Sequence, residues 1–309
     1  MKVIHQTAEN EIASVYVAET DRGKRFEFVE STQPPLSIKE KWVLIISTLY
    51  GCPVDCKFCD AGGSYQGRLS RDELLYQVDY LVNKRFPGGV IDTDKFKIQF
   101  ARMGEPSFNS NVLDVLEVLP SRYEMRNFIP SISSIGPAST EHFFERLLKI
   151  KKALYDKTFQ LQFSIHSTDT AQRDRLMPVR KMGFNEIAAY AEKFYSPGSK
   201  KLTLNFAIGA DYIIEPETIR DIFNPEIFLI KVTPVNPTLK ARQNNIHSLI
   251  NPETEHYPVV DAFKACGYEV LLSIGEWEEN KIGSNCGQYV GSVNGAVSEE
   301  MYTYWLRDT

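Results

Sequence analysis

Short apolar runs recur along this chain at regular intervals, and stretches of helical periodicity lie between them. Residues 42–49, 96–101, 128–133, 159–164, 202–207, 227–232 and 268–272 read as strands. Helices are expected from Ser70, where Ser70 and Glu73 make a capping box, to about Val82. Further helices are expected over 111–119, 140–152, 185–194 and 258–265. Alternating βα units give parallel strands with right-handed crossovers. The expected fold class is therefore α/β, an open partial (β/α)6 barrel whose chemistry sits on loops at the strand C-termini. Ahead of it, residues 12–17 and 25–29 alternate around the turn signal Asp21-Arg22-Gly23, which predicts a β-hairpin ended by Gln33-Pro34-Pro35. The expected division is an N-terminal hairpin extension over 1–40, the barrel over 41–290 and a C-terminal tail over 291–309.

The loop after the first barrel strand carries Cys52, Cys56 and Cys59, spaced C-x3-C-x2-C. Thiolates on a tight loop bind a soft metal or an iron–sulfur cluster. Three is one short of a closed zinc site; a fourth protein ligand is lacking nearby unless Asp60 serves. A [4Fe–4S] cluster on three cysteines keeps one iron for an outside ligand. Zinc binding and inert core cysteines are the competing readings.

Composition narrows the context. A chain of 309 residues, 43% hydrophobic, can bury one large core. A net charge of −5 argues against a large nucleic-acid footprint, though a local basic patch is compatible with it. Five cysteines, three of them clustered, are not a secreted disulfide framework and suit a reducing cytoplasm. The first residues lack a signal-peptide core and no run reaches transmembrane length, so no membrane partner is expected. The lysine groups at 39, 41, 149, 151, 152, 200 and 201 read as solvated faces.

Other motifs fall at strand ends. Met103-Gly104-Glu105-Pro106 places a carboxylate on a glycine turn, suited to an ammonium group. Ser133-Ser134-Ile135-Gly136, Ser164-Ile165-His166 and Asn236-Pro237 present hydroxyl, imidazole and amide groups that suit a ribose, a carboxylate or an adenine edge. Each alone is more often a cap, a turn or a core residue.

The cysteine spacing, with Phe58 before the last cysteine, resembles the radical S-adenosylmethionine (SAM) superfamily. The motifs just named appear in the order of one of its families, with Arg173-Asp174-Arg175-Leu176-Met177-Pro178 after His166 and with Asn285-Cys286-Gly287-Gln288. That family is the RlmN/Cfr-like methyltransferases acting on an adenine carbon of 23S ribosomal RNA; the resemblance covers roughly residues 42–290. It implies a [4Fe–4S] cluster on Cys52, Cys56 and Cys59, with SAM chelating the free iron and cleaved by an electron to a 5′-deoxyadenosyl radical. It implies SAM contacts at Gly104, Glu105, Ser133, Ser164, His166 and Asn236, and a methyl-carrying cysteine at Cys286. It also implies an electron donor such as flavodoxin or ferredoxin.

Three features depart from the family. Its resolving cysteine, seven residues before the first cluster cysteine, is Ile45 here. Its hairpin glutamate matches Ala13. Its N-terminal RNA-binding domain is not expected, because the chain begins at the hairpin. The expected function is a radical SAM enzyme, with methyl transfer through Cys286 onto a substrate other than ribosomal RNA. The alternatives are hydrogen abstraction from a small molecule or peptide, adenine methylation of ribosomal or transfer RNA, and a cluster-bearing binding protein without turnover. Cys266, at a helix end, reads as structural.

Overall fold

A computed structural model of the protein describes residues 1–7, 12–32, 36–251, 254, 256–274, 283, 284, 289 and 290. Cys286 with Asn285, Gly287 and Gln288, the Gln33-Pro34-Pro35 link and the expected tail over 291–309 lie outside the described residues. The chain divides into two compact units. The first comprises Met1–Pro53, Asp60–Ile132 and Glu276–Thr309; the second comprises Val54–Cys59 and Ser133–Gly275.

In the first unit, β1 (Lys2–Gln6), β2 (Ala13–Glu19) and β3 (Arg25–Ser31) are antiparallel neighbours. Strand β4 (Trp42–Ile46) continues the sheet antiparallel to β3. A small ribbon of β5 (Leu49–Cys52) and β6 (Gly63–Arg68) then brackets the cysteine loop. Helix α1 (Arg71–Arg85), β7 (Val90–Ile91), β8 (Phe96–Phe100), α2 (Asn111–Arg122), β9 (Glu124–Met125) and β10 (Phe128–Ser134) follow. Strands β4, β8 and β10 are parallel, with β8 in the middle. Alternate residues of β4 and β8 are buried, which is the period-2 pattern read from their sequences. Trp42 and Phe96 stack at 5.1 Å between ring centres in that core.

The second unit contains α3 (Glu141–Leu154), β11 (Gln160–Ser164), α4 (Thr170–Leu176), α5 (Phe184–Phe194) and β12 (Leu202–Ile208). It continues with α6 (Pro216–Arg220), β13 (Phe228–Pro234), α7 (Leu239–Gln243), α8 (Pro258–Ala265) and β14 (Val270–Leu272). Strands β11, β12, β13 and β14 are parallel in that order. All seven residues of β12 are buried, as a strand covered on both faces must be.

The α/β alternation expected from the sequence is present. The hairpin strands pair as anticipated, but β1 adds a third antiparallel strand that the pattern does not reveal. The short helices α4, α6 and α7 are also absent from the sequence reading. Helix α1 starts with the Ser70–Glu73 capping box and runs three residues past Val82. Helix α2 passes through Pro120 instead of stopping at Leu119. A proline in the last turn forfeits one backbone bond, and Arg122 offsets it by pairing with Asp79 of α1 (Nε–Oδ1 2.7 Å). Among the described residues, no helix is long and apolar enough to cross a membrane.

A buried carboxylate ties α1 to the antiparallel strands. Glu30 accepts a forked pair of bonds from Arg85 (3.0 and 2.9 Å), a bond from the Trp42 indole at 3.3 Å and a short one from the Tyr16 hydroxyl. Lys84 lies 3.5 Å from it. Burial pushes the Glu30 carboxyl up, but the bonds from Arg85 and Tyr16 outweigh burial and hold it below the usual range. The stability that it contributes is therefore present above the ordinary carboxylate pKa of about 4.3 and lost as the pH falls through the lower folded value. Glu30→Gln is expected to lower unfolding stability by about 2–3 kcal/mol at neutral pH. Urea titrations should show that deficit shrinking below about pH 4.

Candidate active site

The cysteine loop leaves β4 at the C-terminal edge of the parallel strands, next to the turn that follows β8. Thr48 and Leu49 donate backbone bonds to the Met103 carbonyl at 2.7 and 3.1 Å. The Met103 amide donates to the Ser47 hydroxyl at 3.2 Å. Gln77 of α1 caps the Ser47 peptide on both sides, accepting from its N–H at 2.8 Å and donating to its C=O at 3.0 Å. Asn109 donates to the carbonyls of Thr48 and Leu69, each at 2.8 Å. The backbone groups bonded here belong to buried residues and would be costly without these partners.

Gly104 adopts φ +94°, and a Cβ there would lie 2.4 Å from the Leu49 Cβ, so glycine is required for the two turns to meet. Glu105 is buried, not solvated. Its Oε1 accepts from the Ser107 amide at 3.1 Å and hydroxyl at 2.7 Å, capping the single 3₁₀ turn Pro106–Phe108. The same carboxylate is thus held in one orientation beside the cysteine loop's origin.

Cys52 belongs to the first unit and is buried; Cys56 and Cys59 belong to the second and are half-buried. None of the three is in a disulfide. Gly51, just ahead of Cys52, has φ +70°, and a Cβ would lie 2.6 Å from the Gly63 carbonyl oxygen. In the second unit, Val54–Cys59 is stitched down by backbone bonds. The Cys59 amide donates to the Cys56 carbonyl at 3.2 Å, and the Lys57 amide to the Leu176 carbonyl at 2.9 Å. Thr238 donates to the Phe58 carbonyl at 2.9 Å, and Asn244 to that of Lys57 at 3.0 Å. Asp55 pairs with Lys240 of α7. The Phe58 ring meets His166 edge-on at 4.9 Å and packs on Ala207, Val235 and Ala241.

The remaining expected site residues of the second unit lie at its strand ends. Ser133 is the penultimate residue of β10, Ser164 ends β11, His166 lies two residues beyond it, and Asn236 lies two residues past β13. His166 is buried with φ +65°, and its Nδ1 accepts from the Ala207 amide at 3.0 Å. That bond leaves the proton on Nε2. Burial, with the charge of Arg173, lowers its pKa to about 3. The imidazole is therefore a neutral donor rather than a proton carrier at neutral pH.

The Ser133 hydroxyl is buried without a hydrogen-bond partner, and so is Oδ1 of Asn205. Asn205 stands opposite Ser164 in the β11–β12 register. Sequence reasoning missed Asn205; the signal was an amide interrupting the otherwise apolar run Leu202–Ile208. Each orphaned polar atom costs about 1–3 kcal/mol unless a ligand satisfies it, so these groups fit a polar ligand. A cavity of about 480 Å³ in the same unit is lined by Lys57, Gln172, Arg175, Asp211, Tyr212 and Asn244. Ser133, Ser164, His166 and Asn236 do not line it.

Among the described residues, no three His, Cys, Asp or Glu side chains form a group that could hold one metal ion. A cubane takes each thiolate at a separate iron, so the three thiols fit that group through their number and softness.

No family model matches the chain. A probable dual-specificity RNA methyltransferase RlmN of Desulfitobacterium hafniense strain Y51 is 25% identical over 265 residues, 81% of this chain and 68% of the relative. One from strain DCB-2 is 27% identical, covering 64% of this chain and 55% of the relative. The probable RlmN of Nostoc punctiforme is 24% identical, with 82% and 68% covered. The chain thus spans between about half and two thirds of the length of these relatives. A radical SAM methyltransferase from Sphaerobacter thermophilus superposes with a TM-score of 0.68 over 93% of this chain and 80% of that one, at 17% identity. The chain therefore has the α/β fold of that enzyme. Its resemblance to the radical SAM superfamily, and to RlmN-like enzymes within it, is borne out at low identity. The expectation of an enzyme is borne out with it.

Because His166 is depressed by burial, folding disfavours its protonation, and stability falls as the pH drops below the ordinary imidazole value of about 6.5. NMR of ring nitrogens should show His166 as the neutral Nε2–H tautomer at about pH 5–8. An imidazolium signal at about pH 6 would contradict that assignment.

Proposed function

We propose that this protein is a radical SAM enzyme that transfers a methyl group by way of Cys286. The observation that carries the reading is the pair of Thr48 and Leu49 bonds to Met103, which joins the origin of the cysteine loop to the Gly104–Glu105 turn. Cys52, Cys56 and Cys59 would hold a [4Fe–4S] cluster. When bound and reduced by a donor such as flavodoxin or ferredoxin, the cluster supplies the electron that cleaves SAM. The protein's own residues bind and orient. Glu105, fixed by Ser107, would accept from the SAM ammonium group, and such a charge-assisted bond is about twice as strong as a neutral one. Ser133, Asn205 and the Nε2–H of His166 offer a hydroxyl, an amide acceptor and a neutral donor to the polar parts of SAM. Ser164, which ends β11, and Asn236, two residues past β13, follow strands parallel to that of Asn205 and would complete this set. Glu105, Asn205 and His166 are buried, as is the Ser133 hydroxyl, which excludes water from what these groups hold.

The substrate is proposed to be other than ribosomal adenine. Ile45 occupies the position at which the resemblance to RlmN-like enzymes implies a resolving cysteine, and a hydrocarbon side chain cannot capture a sulfur. Ile45 lies within β4, opposite Val29 and Gln99 in register, so no neighbouring thiol takes its place on those strands.

Anaerobic reconstitution should load about four irons per chain, and Ala at Cys52, Cys56 or Cys59 should abolish loading. Stoichiometric zinc without iron uptake would sink the radical SAM reading. After expression with SAM, mass spectrometry should find a methyl adduct on Cys286. With a 23S ribosomal RNA fragment, SAM and a reductant, the expected outcome is no product, or a trapped crosslink through Cys286. Multiple-turnover formation of methyladenosine would refute the proposed substrate restriction.

A further inference from the structure

The cavity of about 480 Å³ in the second unit is not lined by the groups proposed to bind SAM, yet its wall is the outer layer of the cysteine loop. Lys57, between Cys56 and Phe58, lines it, and so do the two residues that hold the Lys57 peptide. The Lys57 amide donates to the Leu176 carbonyl at 2.9 Å, and the Lys57 carbonyl accepts from Asn244 at 3.0 Å. Tyr212 forms another part of the wall. Its ring packs, with Phe58 and Ile246, on Ala207, Val235 and Ala241, and a Cβ at Gly209 would lie 2.5 Å from it. Burial, with the charges of Asp211 and Cys56, pushes the Tyr212 hydroxyl above its ordinary pKa. The charge of Cys56 is thus felt at the wall of the cavity.

The cavity opens to solvent, since Arg175, Pro178, Asp211 and Asn244 are exposed. Lys181 and Lys240 of the same unit are engaged by Asp174 and Asp55. Lys57 and Arg175 make no ion pair among the described residues, and the cavity sets one carboxylate, Asp211, against these two cations. Leu176, Pro178 and Ile246 add apolar surface. Apolar surface beside cations that the chain does not neutralise suits a transient partner bearing carboxylates. A nucleic acid fits less well, because tracking phosphates needs a run of cations and the net charge is −5. We infer that this recess is the docking surface for a small acidic electron-transfer protein, such as a flavodoxin or ferredoxin, whose carboxylates meet Lys57 and Arg175. The inference rests on the radical SAM reading, because only a cluster on Cys56 gives the electron a destination there. The step is the transfer of one electron: the reduced donor is oxidised, the cluster is reduced, and no bond is made or broken. Charge attraction acts more on encounter than on lifetime, which suits a partner that must leave after each electron.

The test uses the anaerobically reconstituted holoenzyme. Reduced flavodoxin and reduced ferredoxin are mixed with it separately, cluster reduction is followed by freeze-quench electron paramagnetic resonance, and binding is measured by calorimetry. Photoreduced deazariboflavin, an uncharged reductant, is the control. With whichever protein reduces the wild type, Lys57→Glu/Arg175→Glu should slow reduction at least about tenfold at low salt and weaken binding, while the control changes by less than about twofold. Asp211→Lys adds a cation to the same recess and should speed reduction by about threefold. Raising the salt from about 50 to about 500 mM should remove most of both effects. Equal rates in the wild type and both variants overturn the inference, as does a wild type that neither protein reduces. Loss of affinity for a 23S ribosomal RNA fragment in the double variant, with flavodoxin and ferredoxin binding unchanged, also overturns it and makes the recess a nucleic-acid site. If the double variant does not fold or load iron, Arg175→Glu and Asp211→Lys decide, since both residues are exposed and outside the cysteine loop. Opposite shifts are expected, and shifts of one sign or none overturn the inference. A wild-type chain that loads no iron removes the radical SAM reading and the inference with it. A cluster that the control reduces, with donor rates unmoved by the variants, overturns the inference alone.

Discussion

The backbone bonds from Thr48 and Leu49 to the Met103 carbonyl are the constraint on which the first unit depends. They extend the parallel pairing of β4 and β8 past the end of both strands. Beyond a strand end the peptide groups lose their ladder partners, and buried ones must find others. Ser47, Gln77 and Asn109 supply those partners, and Gly104 allows the approach by having no Cβ to meet Leu49. The cysteine loop and the Gly–Glu turn consequently start from one hydrogen-bonded junction. Two loops distant in sequence could not otherwise be held in a common register.

Buried charge is used for connection in this protein. Glu30 joins β3 to α1 through Arg85, and Glu27 of the same strand pairs with Arg102 and accepts from the Tyr289 and Val290 amides. Burial pushes the Glu27 carboxyl up, while Arg102 and the two amides pull it down. In both cases the partners sit on elements that apolar packing alone would leave free to slide. Hydrophobic contact is non-directional, whereas a forked guanidinium or a carboxylate with two amides accepts one geometry. His166 follows the opposite strategy: it stays neutral, and its one acceptor is taken by a backbone amide.

The likeness to RlmN-type enzymes and the departure at Ile45 concern different parts of the chemistry. Cluster and SAM binding need soft thiolates and polar groups at strand ends, and those are present. Resolution of a crosslink through a disulfide needs a second sulfur within bonding reach, and that is a single-residue property. A chain can therefore keep the first and lose the second without any change of fold, so activity follows from the site rather than from the architecture.

Local order along the chain carries much of this protein's character. The period-2 runs, the Ser70–Glu73 capping box and the order of the motifs specify an α/β chain with its chemistry at strand ends, because periodicity and capping are local properties. The spacing of Cys52, Cys56 and Cys59 is also local, and it suffices to suggest a cluster. The amino-acid order does not reveal that β1 joins the hairpin, that α2 survives Pro120, or that Asn205 faces Ser164 with an unsatisfied oxygen. Nor does it pair Glu27 with Arg102 or bring the pair to Gly283, Ser284, Tyr289 and Val290. Those contacts join residues tens to hundreds of positions apart, and which partners meet is decided by sheet register and burial. Residue type set what chemistry this chain can perform; only the tertiary structure decided which groups are held together to perform it, because proximity is a property of the packed chain and not of its order.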